Sequence, residues 1–335
     1  MIKQAGKILA GIGFLLVLLE AGCNENSSRP DVSRIDINPV KISRYERALF
    51  EINFADLPAG LDAIHQEYRF FLGDQYRDTL NLIRMNNFLR DPIIIGVYQQ
   101  SEKVFPDLVP LENQLTQSFK YWKYYFPEAK QPKVYSFISG FYYESPIELY
   151  DSVLIISLDL FLGPGYEPYR AIGLPQYMIR RMGPEFLAPD CMKQISLSLL
   201  PEGTSDRTLL DQMILHGKVL YFLDQVLPEA PDTLKSGFTA SEEKWSKENE
   251  RMLWSLMIDN DLLYSTDPVM INKYIQDGPF TSGLPEESPA MLGRWLGWQI
   301  VRSYMKKNSG TTLKELFAMT DSQQILSDSR YKPVK

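Results

Sequence analysis

Two short stretches, Lys133-Val-Tyr-Ser-Phe-Ile-Ser139 and Val153-Leu-Ile-Ile-Ser-Leu-Asp-Leu160, decide the fold class. Both are rich in β-branched and aromatic side chains and are bounded by Pro132, Gly140 and Gly163, the pattern of buried strands. The apolar spacing on either side is mostly helical. The sequence therefore predicts an α+β protein, predominantly helical, with a small sheet packed against helices.

Upstream, the helical pattern starts at Ile42, with Tyr45, Leu49 and Ile52 or Phe50 and Phe54 recurring at three and four, until Leu57-Pro58-Ala59-Gly60 interrupts it. A second helix is expected over Leu61 to Leu72. Between Leu80 and Pro127 the segments are again helix-like, punctuated by Pro92, Pro106 and Pro110, and Leu108, Leu111, Leu115 and Phe119 share one face. Downstream, Gly163-Pro164-Gly165 leads into a long, mostly helical half. One helix should run along Leu210, Met213, Ile214, Gly217, Leu220 and Tyr221, capped by Ser205 or Asp206 and ending before Pro228. Another should cover about Met291 to Lys306. There Gly293, Gly297 and Val301 lie four apart, and each interior glycine costs about 1 kcal/mol against Ala, so close helix packing is expected to compensate.

The first residues carry Lys3, Lys7 and a twelve-residue apolar run from Ile8 to Leu19. Such a run spans about 18 Å as a helix, short of a bilayer's roughly 30 Å core, so residues 1–22 read as a cleaved signal peptide. Leu19-Glu20-Ala21-Gly22-Cys23 has the layout of a lipoprotein cleavage site, with Cys23 as the lipid attachment residue. Glu20 stands where an aliphatic side chain is usual, and its charge should slow processing. Residues 23–40, with Ser27, Ser28, Pro30, Asp31 and Pro39, read as a flexible tether. The expected product is a membrane-anchored lipoprotein.

Cleavage leaves 313 of 335 residues, enough for one broad domain or two smaller ones. The whole chain carries −7; the signal contributes a net +1 from Lys3, Lys7 and Glu20, so the remainder carries −8. No extended basic run offsets this, which argues against a nucleic-acid partner. Once Cys23 is acylated, Cys191 is the remaining thiol, so no disulfide forms within one chain.

The chemistry-bearing patterns are sparse. A catalytic zinc needs about three protein ligands, usually with two imidazoles or thiolates among them, and the chain has His65 and His216 alone. Neither has a second histidine four residues away. Asp259-Asn260-Asp261 begins like a calcium loop, but Leu263 and Tyr264 stand where an oxygen ligand and a glycine are needed, so a turn or helix end is expected. There is no Gly-x-x-x-x-Gly-Lys loop and no Gly-x-Ser-x-Gly elbow; Ile138-Ser139-Gly140 lacks the first glycine. Cys191 with His216 offers a nucleophile and a base, although a lone cysteine is most often a small buried hydrophobe. No metal, no cofactor and no enzymatic activity are expected.

Several segments together resemble the gliding motility lipoprotein GldB family of Bacteroidetes-type bacteria. They are Ile42-Ser-Arg-Tyr-Glu-Arg-Ala-Leu-Phe50, Trp122-Lys-Tyr-Tyr-Phe-Pro127, Ile156-Ser-Leu-Asp-Leu-Phe-Leu-Gly163, Leu210-Asp-Gln-Met-Ile214 with Gly217-Lys218 and Tyr221, and Gly293-Arg-Trp-Leu-Gly-Trp-Gln299. The resemblance implies a cell-envelope protein required for gliding motility and for the protein secretion that serves it, facing the periplasm and touching other proteins of that machinery. It also implies a degenerate zincin-like, that is metallopeptidase-like, architecture, in which an edge strand precedes a helix carrying two zinc histidines. Val153 to Leu160 would be that strand. The helix through Pro189-Asp190-Cys-Met-Lys-Gln-Ile195 has no histidine, and His216 sits where such folds place a third ligand. The implied site is a cleft without its metal, lined by Asp190, Gln194, Asp211, His216 and Lys218. The body would comprise an N-terminal helical region, 41–130, and a zincin-like α+β region, 131–327, together one broad globular unit. An anchored scaffold is the leading function; an envelope hydrolase with an atypical site and a periplasmic ligand-binding lipoprotein are the alternatives.

Overall fold

The computed structural model describes residues 29–204 and 207–333. Cys23, its cleavage site, and the expected caps Ser205 and Asp206 lie outside them. A compact unit spans Val32–Lys335. Val32 and Val40 are already buried in it, and the Val40 N–H donates to Thr116 Oγ1 at 2.9 Å.

The fold is α+β and mostly helical, around one mixed sheet. Its strands are β1 (Ile42–Arg44), β2 (Lys133–Phe137), β3 (Ile147–Tyr150) and β4 (Val153–Ser157), in the order β1-β2-β4-β3. β1, β2 and β4 are parallel; β3 runs antiparallel to β4 as the edge. Parallel neighbours need a crossover, which the helices over residues 45–125 supply between β1 and β2.

Side-chain alternation explains why these strands read as nearly continuous apolar runs. Val134, Leu154 and Ile156 pack into the main core, while Tyr135 and, from its partly buried rim, Phe137 and Val153 join a second cluster with Tyr45, Leu49, Leu61, Tyr68 and Leu89. Both faces of the sheet are thus covered.

The helices that build the main core are α1 (Val109–Tyr125), α2 (Leu187–Leu197), α3 (Leu209–Val226), α4 (Ala240–Asp259) and α5 (Leu292–Lys307). Leu108, Leu111, Leu115 and Phe119 are buried, as the helical spacing on and just before α1 required. Pro92 and Pro110 fall in the first turns of helices, where a missing N–H costs nothing. The cap of α3 is Thr208, which forms a capping box with Asp211. Asp259 ends α4 and Asp261 adopts φ 52°, a helix end as expected. At the centre, a Cβ on Gly217 of α3 would strike the Gly297 carbonyl of α5, and one on Gly297 would strike the Met213 carbonyl.

Four expectations are corrected. Ile42–Arg44 is a strand, and the helix begins only at Tyr45. The segment 61–72 is not one helix but the end of Leu57–His65 followed by Arg69–Leu72. β4 is interior, so Val153 to Leu160 is not the edge; that place belongs to β3, whose four residues are too few to show a period. Strand geometry also stops at Ser157, because Asp159 turns its carboxylate inward to accept from the Ser139 and Phe141 N–H groups at 2.8 and 2.7 Å. Among the described residues, no helix is long and apolar enough to cross a membrane.

Candidate functional site: a cleft along the sheet edge

A cleft of about 580 Å³ runs between β3 and α2. One wall is Tyr143 to Tyr150; the other presents Asp190, Lys193, Gln194 and Leu197 from α2, with Arg181 and Met182 from the preceding loop. Asp190 and Gln194 share a face because they lie one helical turn apart. The Lys193 ammonium donates to Asp190 at 2.9 Å, so this carboxylate is already engaged.

Arg181, Lys193 and Leu197 also line a second, smaller cavity of about 150 Å³. Its other walls include His216 and Val219 from α3, Lys235, and Arg294 and Trp295 from α5. The structure therefore brings Asp190, Gln194 and His216 to two adjoining cavities that share a wall. His216 is pushed down to about 3 by burial and by the neighbouring Arg294 charge, so its imidazole is neutral. Burial, and repulsion from Arg181, push Arg294 down to about 10; its Nε donates to the Ile275 carbonyl at 2.7 Å.

The other two expected site residues lie elsewhere. Asp211 serves the α3 capping box, its carboxylate accepting from the Thr208 N–H at 3.2 Å. Lys218 is two positions from His216, which on a helix points it the other way, and its ammonium donates to the Met319 carbonyl. Burial pushes Lys218 down to about 8.

Cys191 follows Asp190 but faces the core; it is wholly buried and its thiol is pushed well up, so it presents no thiolate. His65 pairs with the Gly73 carbonyl at 3.0 Å and stacks on Tyr76, on the helix Leu57–His65. Among the described residues, no group of three or more His, Cys, Asp or Glu side chains is placed to hold a metal ion. Arg181, Lys193, Lys235 and Arg294, which set the charge of the small cavity, carried no signal in the sequence. They come from four separate segments, and no spacing relates them.

Two other buried charge clusters have structural roles. Glu46 accepts from Arg44 and from Ser136 Oγ at 2.6 and 2.9 Å, tying the helix Tyr45–Phe50 to β2. Asp224 accepts from Trp298 Nε1, Lys235 and Arg302, and Arg302 also holds Asp232 and stacks on Trp298. A third cavity, about 420 Å³, lies among Tyr45, Phe50, Phe71, Tyr76 and Phe88.

The family model described as gliding motility protein GldB matches residues 25–333. No curated protein and no solved structure matches the chain. The metallopeptidase-like part of the resemblance thus gains no support from any structural match. The match spans the sheet, the cleft and both glycine-bearing helices, and it places this chain in the GldB family of gliding motility proteins.

Proposed function

We propose that the protein is a non-catalytic component of the cell envelope, anchored through Cys23 and facing the periplasm, which docks other proteins of the gliding and secretion machinery. The observation that carries this reading is the electrostatics beside the edge strand. Where a peptidase-like helix would offer imidazoles, α2 offers Asp190, held by Lys193, and Gln194. The one histidine nearby shares its cavity with Arg181, Lys193, Lys235 and Arg294. Four cationic groups around one imidazole repel a divalent metal. The cleft's geometry suits holding a chain better than cutting it.

Two measurements test this. Purified full-length protein should contain substoichiometric zinc and leave peptides intact, and a deletion strain should regain spreading on agar from the wild-type gene but not from Cys23→Ala. Stoichiometric zinc together with peptide cleavage abolished by a chelator overturns the non-catalytic reading; spreading restored by Cys23→Ala overturns the anchor.

A further inference from the structure

We infer that the cleft takes an extended peptide segment ending in a free carboxylate, which adds as a strand to β3 and seats its terminus in the small cavity beside His216. This deepens the docking reading and rests on it. The first observation is the strand edge. Ser157 N–H donates to the Pro146 carbonyl at 3.0 Å, which makes 146 and 157 a hydrogen-bonded antiparallel pair. Pairing alternates along such a ladder, so Glu148 and Tyr150 bond to β4, while Ile147 and Leu149 direct their N–H and C=O groups away from it. These outward groups belong to residues that line the cleft. An edge of this kind is a template for one more strand, with main-chain hydrogen bonds giving affinity and pockets giving specificity.

The second observation is charge. Glu144 and Glu148 stand on the strand side of the cleft, whereas the small cavity that adjoins it is lined by Arg181, Lys193, Lys235 and Arg294 and by no carboxylate. Three of these cations have carboxylate partners outside the cavity: Asp277 for Arg181, Asp190 for Lys193, Asp224 for Lys235. Arg294 has no ion pair among the described residues; its Nε bonds a carbonyl, and its charge is left over. The His216 ring makes no hydrogen bond among the described residues, and His216 lines the same cavity. A partly buried, uncompensated guanidinium and an idle imidazole in a cavity of about 150 Å³ fit one planar anion attached to a chain. A terminal carboxylate entering along the cleft meets both requirements; an internal acidic side chain would bring a continuing backbone on both sides of it, which a cavity of about 150 Å³ is too small to take.

The probe is a fluorescein-labelled degenerate hexapeptide mixture with free C-terminal carboxylates, set against the same mixture with C-terminal amides. Both are titrated by anisotropy into full-length lipoprotein in detergent micelles. The free acids should bind at least tenfold more tightly than the amides, and Arg294→Gln should bring the two within twofold. Binding should also slow hydrogen exchange at the Ile147 and Leu149 amides. Absence of saturable binding, equal binding of acid and amide to the unmodified protein, or protection confined to another part of the sheet overturns the inference. The acid and amide comparison stands without the variant, should Arg294→Gln fail to fold. Mass spectrometry of the recovered peptides separates the two claims: intact, unbound peptides sink only this inference, whereas cleaved peptides sink the docking function.

Discussion

Gly217 and Gly297 bring the backbones of α3 and α5 into direct contact: the Gly297 carbonyl occupies the space a Cβ of Gly217 would need, and the Met213 carbonyl, one turn before Gly217, occupies the space a Cβ of Gly297 would need. The contact lets two long helices approach closely, and α3 also packs against α1 and α2. Close approach compensates the helix cost of the glycines, because backbone and neighbouring side chains gain contacts that a methyl would hold apart. Gly297→Ala should therefore cost on the order of 3 kcal/mol or abolish folding, because the obstacle is the Met213 carbonyl and not a movable side chain. Gly293→Ala meets the tip of Ile275 first, along with the Tyr274 carbonyl, both at 3.0 Å, and should cost less. Urea melts of the two variants rank them; equal stability with wild type at Gly297 would show that the helices are not locked there.

The Asp224 carboxylate holds Arg302, Lys235 and the Trp298 indole together in the core. Removing it strands two cations in a poorly solvated place. Asp224→Ala should cost about 3 to 5 kcal/mol. The double variant Asp224→Ala with Arg302→Met should recover part of that loss, since no unpaired guanidinium remains. A double-mutant cycle by chemical denaturation reads the difference directly, and additivity of the two losses would refute the network.

His216 titrates near 3 when folded and near its ordinary value of 6.5 when unfolded. Between these values the unfolded chain binds more protons, so stability rises with pH across that window and falls on acidification through it. The effect should be at most on the order of 5 kcal/mol. Comparing wild type with His216→Gln isolates it from the carboxylates, and parallel stability curves between pH 3 and 6.5 would contradict the assignment.

Lys218 behaves similarly at the alkaline end. Its folded value near 8 lies below the ordinary 10.5, so burying the ammonium weighs against folding below pH 8 and that penalty fades as pH rises toward 10.5. The wild-type curve should rise relative to Lys218→Met by about 3 kcal/mol across this range. A constant difference between the two from pH 7.5 to 10 would mean that the Met319 carbonyl fully offsets the burial.

The amino-acid sequence by itself determined the α+β class, the two central strands and the long helices, because these rest on local periodicity: Val134, Leu154 and Ile156 declare a buried strand, and Leu111, Leu115 and Phe119 a helix face. It also marked Gly293 and Gly297, since glycine in a helix interior needs a reason that neighbours alone can provide. The residues by which the family resemblance was read are spread along the matched chain. Tertiary structure alone decided that β4 is interior, that the three residues of β1 and the four of β3 are strands, and that Gly217 is the partner of Gly297. Strands that short carry too little pattern, and hydrogen bonds from distant segments fix them. The site divides in the same way. Asp190 and Gln194 were legible as one face of a helix, and His216 as the next helix's histidine. The guanidinium and ammonium groups that give the small cavity its charge come from segments far apart in the chain, so their convergence is a property of the packing and of nothing written locally.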